Sequence, residues 1–290
     1  MKFRIKTTFV LLLFIIICII NLESVTSGMQ KALVFCARTV IPSLFIFMVL
    51  SDVTVTLALS SGLPAFFSPK AVILCIGALC GFPIGAVVCE KFYKQKIINA
   101  NEVSKILPLC NIASPAFVIG AVGSSMYGDK KIGFLLYFSL FVSSFFRFIT
   151  IKCKHQLISS NSTVNIDTFF TAIEKSIYGL LRVCALICFF TAVLSLIEHT
   201  KLNYLAFLLE VSCGCSLASS FFATHPYFSI GMCGFCLGFS GFCVHAQIVS
   251  VAKSININYA KFFFSKFFQG ISCAVISILG YYLFFVLEIL

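Results

Sequence analysis

Ala71-Val72-Ile73-Leu74-Cys75-Ile76-Gly77-Ala78-Leu79-Cys80-Gly81-Phe82-Pro83-Ile84-Gly85-Ala86-Val87-Val88-Cys89 carries no charged side chain, and a run of about 20 apolar residues is what a helix needs to cross a bilayer. Its centre argues against one straight helix. Gly77, Gly81, Pro83 and Gly85 crowd together there, and glycine and proline are the residues least suited to a helix interior. Two half-length helices meeting at Cys80-Gly81-Phe82-Pro83 would enter and leave on one face. Such a re-entrant hairpin is tolerated only when buried in protein or lining a cavity, because its unpaired backbone groups cannot face lipid.

The rest of the chain makes lipid the solvent. Of 290 residues, 60% are hydrophobic and 11% charged, with 35 Phe and no Trp; soluble domains carry about a quarter charged residues. The length allows roughly eight membrane segments joined by short loops, with no room for a separate soluble catalytic domain. The net charge of +11 comes from Lys and Arg scattered between apolar runs, which reads as a topology signal and not as a nucleic-acid surface. The 15 Cys lie mostly inside those runs, where Cys behaves as a small hydrophobe.

Lys2, Arg4 and Lys6 precede the apolar run Thr7–Ile20, and Val25-Thr26-Ser27-Gly28 follows. Residues 1–27 are therefore either a cleaved signal peptide or an uncleaved first span, and both place the N-terminus in the cytoplasm. Further apolar stretches run over 32–59, 103–125, 132–150, 170–197, 203–222, 227–250 and 262–287, all helical by length. The polar stretch Ile151–Asp167 divides the chain. Its two sides resemble each other: at an offset of 144, Lys31, Arg38 and Ser51 fall on Lys175, Arg182 and Ser195, and at an offset of 157, Gly81-Phe82, Glu90 and Asn99 fall on Gly238-Phe239, Gln247 and Asn256. The expected organisation is a first repeat over 28–152, a cytoplasmic linker over 153–168 and a second repeat over 169–290.

Charge decides between a span and a hairpin at 71–89. With a full span, Lys91, Lys94, Lys96 and Lys105, and then Arg147, Lys152, Lys154 and Lys175, lie outside. With a hairpin, both basic groups move to the cytoplasm, as positive-inside bias requires. Lys31, Arg38, Lys130, Lys131, Lys201, Lys253 and Lys261 remain outside. The two repeats then have opposite orientation, provided that 203–222 is a re-entrant or interfacial element. The expected fold is an all-α polytopic membrane protein with two inverted repeats, re-entrant helical hairpins and broken helices, an architecture many secondary transporters share.

Ile41-Pro42-Ser43-Leu44-Phe45, Cys80-Gly81-Phe82-Pro83-Ile84-Gly85-Ala86, Cys110-Asn111-Ile112-Ala113-Ser114-Pro115-Ala116, Leu208-Leu209-Glu210-Val211 and Gly238-Phe239-Ser240-Gly241-Phe242-Cys243-Val244-His245-Ala246-Gln247 together resemble the sporulation integral membrane protein family of the YlbJ type. That family is grouped with the nucleoside-recognition or Gate-domain membrane proteins. The blocks occur in the family's order from about residue 28 onward. The chain departs from the pattern at Ile112, where a second Asn is usual, and at Cys213, where Asn is commoner. The resemblance implies a multi-pass cell-membrane protein needed for spore formation; it names no substrate.

Intramembrane polar residues are costly, so each is a candidate for function. Glu90 leaves the first hairpin and Gln247 holds the matching place at offset 157; Glu90 is either a solute contact or an interfacial charge beside Lys91 and Lys94. Glu210 lies deep in an apolar stretch with no basic residue within a helical turn, and serves either proton or cation coupling or a structural hydrogen bond. Asn111, Ser114 and Pro115 mark a second break, with Ser114 as N-cap of a new half-helix whose positive end points into the membrane, or else a simple kink. Gly81, Pro83 and Gly85, with Gly238, Ser240 and Gly241, would supply exposed backbone groups at two hairpin turns.

Catalytic alternatives are weaker. Gly238-Phe239-Ser240-Gly241 near His245 resembles the nucleophile turn of intramembrane serine proteases, but its repeat mate carries no nucleophile. Cys233-Gly234-Phe235-Cys236 has a redox spacing without the βαβ context. His225, His245, Cys213 and Cys215 lack paired metal-ligand spacing. The sequence thus points to a non-enzymatic protein without metal or cofactor, set in the bilayer. It binds or moves a small polar solute at Gly81, Pro83, Gly85, Glu90, Asn111, Ser114, Glu210, Gly238, Ser240, Gly241, His245 and Gln247. The alternative is a non-transporting scaffold for sporulation partner proteins; a homo-oligomer is compatible with both, and nucleic acid is not expected.

Overall fold

The computed structural model describes residues 2–60, 68–151, 166–198, 200–252 and 254–286. Most of the linker expected at 153–168, with Lys152, Lys154 and Lys253, lies outside them. Among the described residues every regular element is a helix. Five helices are long and apolar enough to cross a membrane: Leu22–Ser60, Lys130–Ile149, Ile166–Ser195, Pro226–Val251 and Tyr259–Phe285.

α1 (Lys2–Ile20) stops at Asn21, and α2 (Leu22–Phe35) continues through a π-helical turn, Cys36–Val40, into α3 (Ile41–Ser60). Gly28 lies inside α2, against Ser195. α4 (Pro69–Cys80) starts where Ser68 accepts from Ala71 N at 3.2 Å and Pro69 takes a position that needs no amide hydrogen. The chain breaks at Gly81-Phe82-Pro83, with a cis Phe82-Pro83 bond and Gly81 at φ 82°, a conformation natural to glycine. α5 (Ile84–Lys94) then lies beside α4. α6 (Ala100–Cys110) opens on a reciprocal cap between Asn99 and Glu102. After an extended Asn111–Ser114 the chain resumes as a π-helical stretch, Ala116–Met126, and returns as α7 (Lys130–Ile149), capped by Asp129.

α8 (Ile166–Ser195) runs antiparallel to α2 and α3, bringing Gly179 to Met48 and Ser195 to Gly28. A 3-10 turn, Lys201–Leu205, leads into α9 (Ala206–Leu209), which breaks at Glu210 and packs beside α10 (Val211–Ser220). α11 (Pro226–Phe239) and α12 (Gly241–Val251) are separated only by Ser240, and α13 (Tyr259–Tyr281), capped by Asn258, closes the bundle.

The contacts define two ends. At one, Lys91 reaches Asp52 and Thr56 near the C-terminus of α3, Glu90 accepts from Ser254, Lys70 donates to Ile151 O, and Arg147 donates to Ser265. At the other, Lys31 pairs with Glu198, Tyr127 bonds Ser229 and Gly231 packs on Ile278.

Three sequence expectations need correction. The second fold-back is not at Gly238–Gly241, because α11 and α12 run on as one kinked 26-residue apolar helix; the chain reverses instead at Glu210. The offset of 157 therefore pairs unlike breaks, a fold-back with a through-running kink, and Glu90 and Gln247 are not equivalent. α7 and α13 start at the caps Asp129 and Asn258, 129 residues apart. Finally, Lys261 stands in the first turn of α13, on the end that carries Arg147 and Glu90, not opposite it. Glycine-rich runs mark both kinds of break, so composition alone did not separate them.

Candidate functional site

Three helix breaks converge on the middle of the bundle. Gly81 and Phe82, Ser114, Glu210 with Val211 and Ser212, and Gln247 on α12 line one small cavity of about 40 Å³, together with Thr39 and Ser43 at the junction of α2 and α3. That is room for about one water molecule. Glu210 is 2% exposed and ends α9 in extended backbone. Its Oε2 accepts from Cys213 N at 2.7 Å and from Ser212 Oγ, so the carboxylate caps the N-terminus of α10, where the helix dipole favours negative charge. Among the described residues, no Lys or Arg lines the cavity. Gln247 donates from Nε2 to Cys243 Sγ at 3.5 Å, while its buried Oε1 has no partner.

Two wider cavities lie toward the two ends of the bundle. One of about 480 Å³ leads from Lys31 and Glu198 past Ser220 and Ser216 to Ser212; serines four apart share one face of α10. The other, about 310 Å³, is lined by Asp52, Pro83, Glu90, Lys175 and Arg182 at the opposite end.

Of the twelve residues singled out by sequence, Gly81, Ser114, Glu210 and Gln247 line the central cavity, and Pro83 and Glu90 line the opening at the Asp52 end. Glu90 is also tied to Ser254 and Lys94. The remaining six serve the breaks themselves. Asn111 is fully buried: its Oδ1 accepts from Ala86 N at 2.9 Å and its Nδ2 donates to Leu107 O at 2.7 Å, which engages both ends of the amide. Gly85 packs on the Cys110 carbonyl, Gly238 on Gln269 and Gly270, and Gly241 on Leu209. Ser240 Oγ donates to Leu237 O at 3.2 Å. His245 Nε2 lies 2.9 Å from Phe239 O and so donates to it, leaving Nδ1 to accept from Tyr259. Both ring nitrogens are engaged away from the Ser240 hydroxyl.

Lys266 stands outside the twelve residues singled out by sequence. It is fully buried on α13, and its Nζ donates to Asn111 O at 3.0 Å and to Gln269 Oε1 at 2.9 Å. A lone cation within Phe262-Phe263-Phe264-Ser265-Lys266-Phe267-Phe268 was the available signal. Thr39 and Ser43 were missed because they stand in a helix that looks continuous from sequence. Among the described residues the cysteines are free, and no cluster of His, Cys, Asp or Glu is arranged to hold a metal ion.

Comparison with known proteins gives one relative. The chain is 21% identical to the sporulation integral membrane protein YlbJ of Bacillus subtilis (strain 168), over 83% of this chain and 74% of that protein. No family model matches the chain. No solved structure matches it. The relative and the five apolar helices together identify an all-helical, multi-pass membrane protein.

Proposed function

We propose that this chain is a sporulation membrane protein that binds or moves a small polar solute through the cavity between two inverted halves. In this reading each half consists of a long helix, a re-entrant pair, a broken span and a last span. The elements are α2 and α3, α4 and α5, α6 with Ala116–Met126, then α7; and correspondingly α8, α9 and α10, α11 and α12, then α13. The observation that carries it is the convergence of Gly81, Ser114, Glu210 and Gln247 on one cavity, with a separate, wider cavity toward each end. Broken helices at membrane depth are tolerated where they line such a space. The association with spore formation rests on the relative's name.

The end carrying Asp52 faces the cytoplasm in this proposal. Lys70, Lys91, Lys94, Lys96, Lys105, Arg147, Lys175 and Lys261 gather there, against Lys31, Lys130, Lys131 and Lys201 at the other, and positive charge favours the cytoplasmic side. In a background with native cysteines replaced, Lys94→Cys, Lys175→Cys and Lys261→Cys are expected to react with an impermeant maleimide only in inverted vesicles. Lys31→Cys, Lys130→Cys and Lys201→Cys should react only in intact cells. Labelling of positions 31 and 94 from one side would overturn the arrangement.

A further inference from the structure

Lys266 has no part in the cavity just described, yet burying an ammonium is expensive unless something negative faces it. Its partners are uncharged: Asn111 O, Gln269 Oε1 and, through Gln269 Nε2, Ser144 Oγ on α7. What faces it is the broken end of α6. Asn111 is the residue at which that helix stops, and the carbonyls of a last helical turn lack partners and carry the negative end of the helix dipole. In transporters with discontinuous helices, such half-helix C-termini and unwound carbonyls coordinate alkali cations. The second broken span differs: its freed carbonyl, Phe239 O, takes the ring nitrogen of His245 at 2.9 Å.

We propose that Lys266 is a tethered cation. Its ammonium fills, from within the chain, the position at the α6 break that a small monovalent cation would otherwise occupy. It is a positioning residue, acting through Asn111, whose side chain in turn fixes Ala86 at the start of α5. Two consequences follow: the native protein needs no alkali ion at this break, and loss of the ammonium leaves a position that takes one.

The test reads stability and is independent of whether any solute moves. Wild type, Lys266→Ala and Lys266→Met are solubilised and melted in sodium, ethylammonium or choline chloride at equal ionic strength. Wild type is expected to melt at one temperature in all three. Both variants should melt lower in choline, and sodium or ethylammonium should restore most of the loss, because choline is too large for the vacated position. Equal melting of a variant in all three salts makes Lys266 a packing residue and overturns the proposal. So does a selective sodium effect on wild type, which would mean that a cation position is still open. Should the variants fail to accumulate in choline, recovery of monodisperse protein in sodium or ethylammonium supports the tethered cation; failure in every salt overturns it.

Discussion

Gly77→Ala is expected to abolish accumulation of the folded protein, and Gly85→Ala to do nearly the same. The two glycines stand on α4 and α5, one on each side of the Gly81 turn, and both press on the last carbonyl of α6. A Cβ at position 77 would lie 2.0 Å from Cys110 O, and one at position 85 would lie 2.3 Å from it. The obstructing atom is backbone, at the end of a buried helix, and has no rotamer by which to withdraw. Overpacking a core typically costs about 1–3 kcal/mol and occasionally more; an immobile neighbour places these substitutions at or above the top of that range. Gly120→Ala is the control, since nothing lies within 4 Å of a Cβ there, and it should stay within about 0.5 kcal/mol of wild type. The monodisperse fraction after solubilisation is the measurement. A Gly77→Ala protein as abundant and heat-resistant as Gly120→Ala would mean that α4 and α5 do not clamp α6.

The same clamp explains how far the sequence could be read. The break at residues 81–83 was visible because glycine and proline fail in a helix interior wherever they occur, and Ser114-Pro115 was visible as the start of a helix for the same local reason. What those residues touch was not visible. Asn111 looks like a solute contact because an amide in an apolar segment needs partners; it finds them in backbone groups of α5 and α6 and in Cys110 Sγ, which no local pattern encodes. The reversal at Glu210 falls inside 203–222, the stretch expected to be re-entrant or interfacial, but no glycine or proline marks its position, while the conspicuous glycines of Gly238–Gly241 serve close packing and a kink. Gly238 is pressed against the α13 backbone at Gln269 and Gly270. Glycine reports that backbone comes close to something, without reporting whether the chain then turns round. Lys266 was hidden in a different way. Charge counting assigns basic residues to loops, and this one lies in a span, where its partners are the carbonyl end of α6 and Gln269 Oε1.

Glu210→Gln should separate the two roles of the central carboxylate. As a cap, Glu210 needs only an oxygen that accepts from Cys213 N and Ser212 Oγ, and the amide oxygen of Gln provides one. Glu210→Ala removes the cap, at a typical cost of about 1 kcal/mol. The negative charge is a separate matter. Glu210 is 2% exposed and lines a cavity whose described lining includes no basic residue; Gln247, whose Oε1 has no hydrogen-bond partner among the described residues, lines the same cavity. Two acceptor side chains lining one small space are suited to a hydrogen-bond donor, and a hydrogen bond to a charged group is worth about 1.5–3 kcal/mol. On the proposed reading, loss of the charge should therefore weaken solute binding by about tenfold to about 150-fold, at 1.4 kcal/mol per tenfold. Glu210→Gln is expected to accumulate like wild type and to lose most of its activity, read as spore formation in a spore-forming host lacking its own copy. Gln247→Leu, which removes the second acceptor without touching the cap, should lower activity in the same direction. If both variants accumulate normally and support full sporulation, the cavity is a by-product of packing. The protein would then act through its surfaces, as a scaffold, and the carboxylate would be only the cap that starts α10.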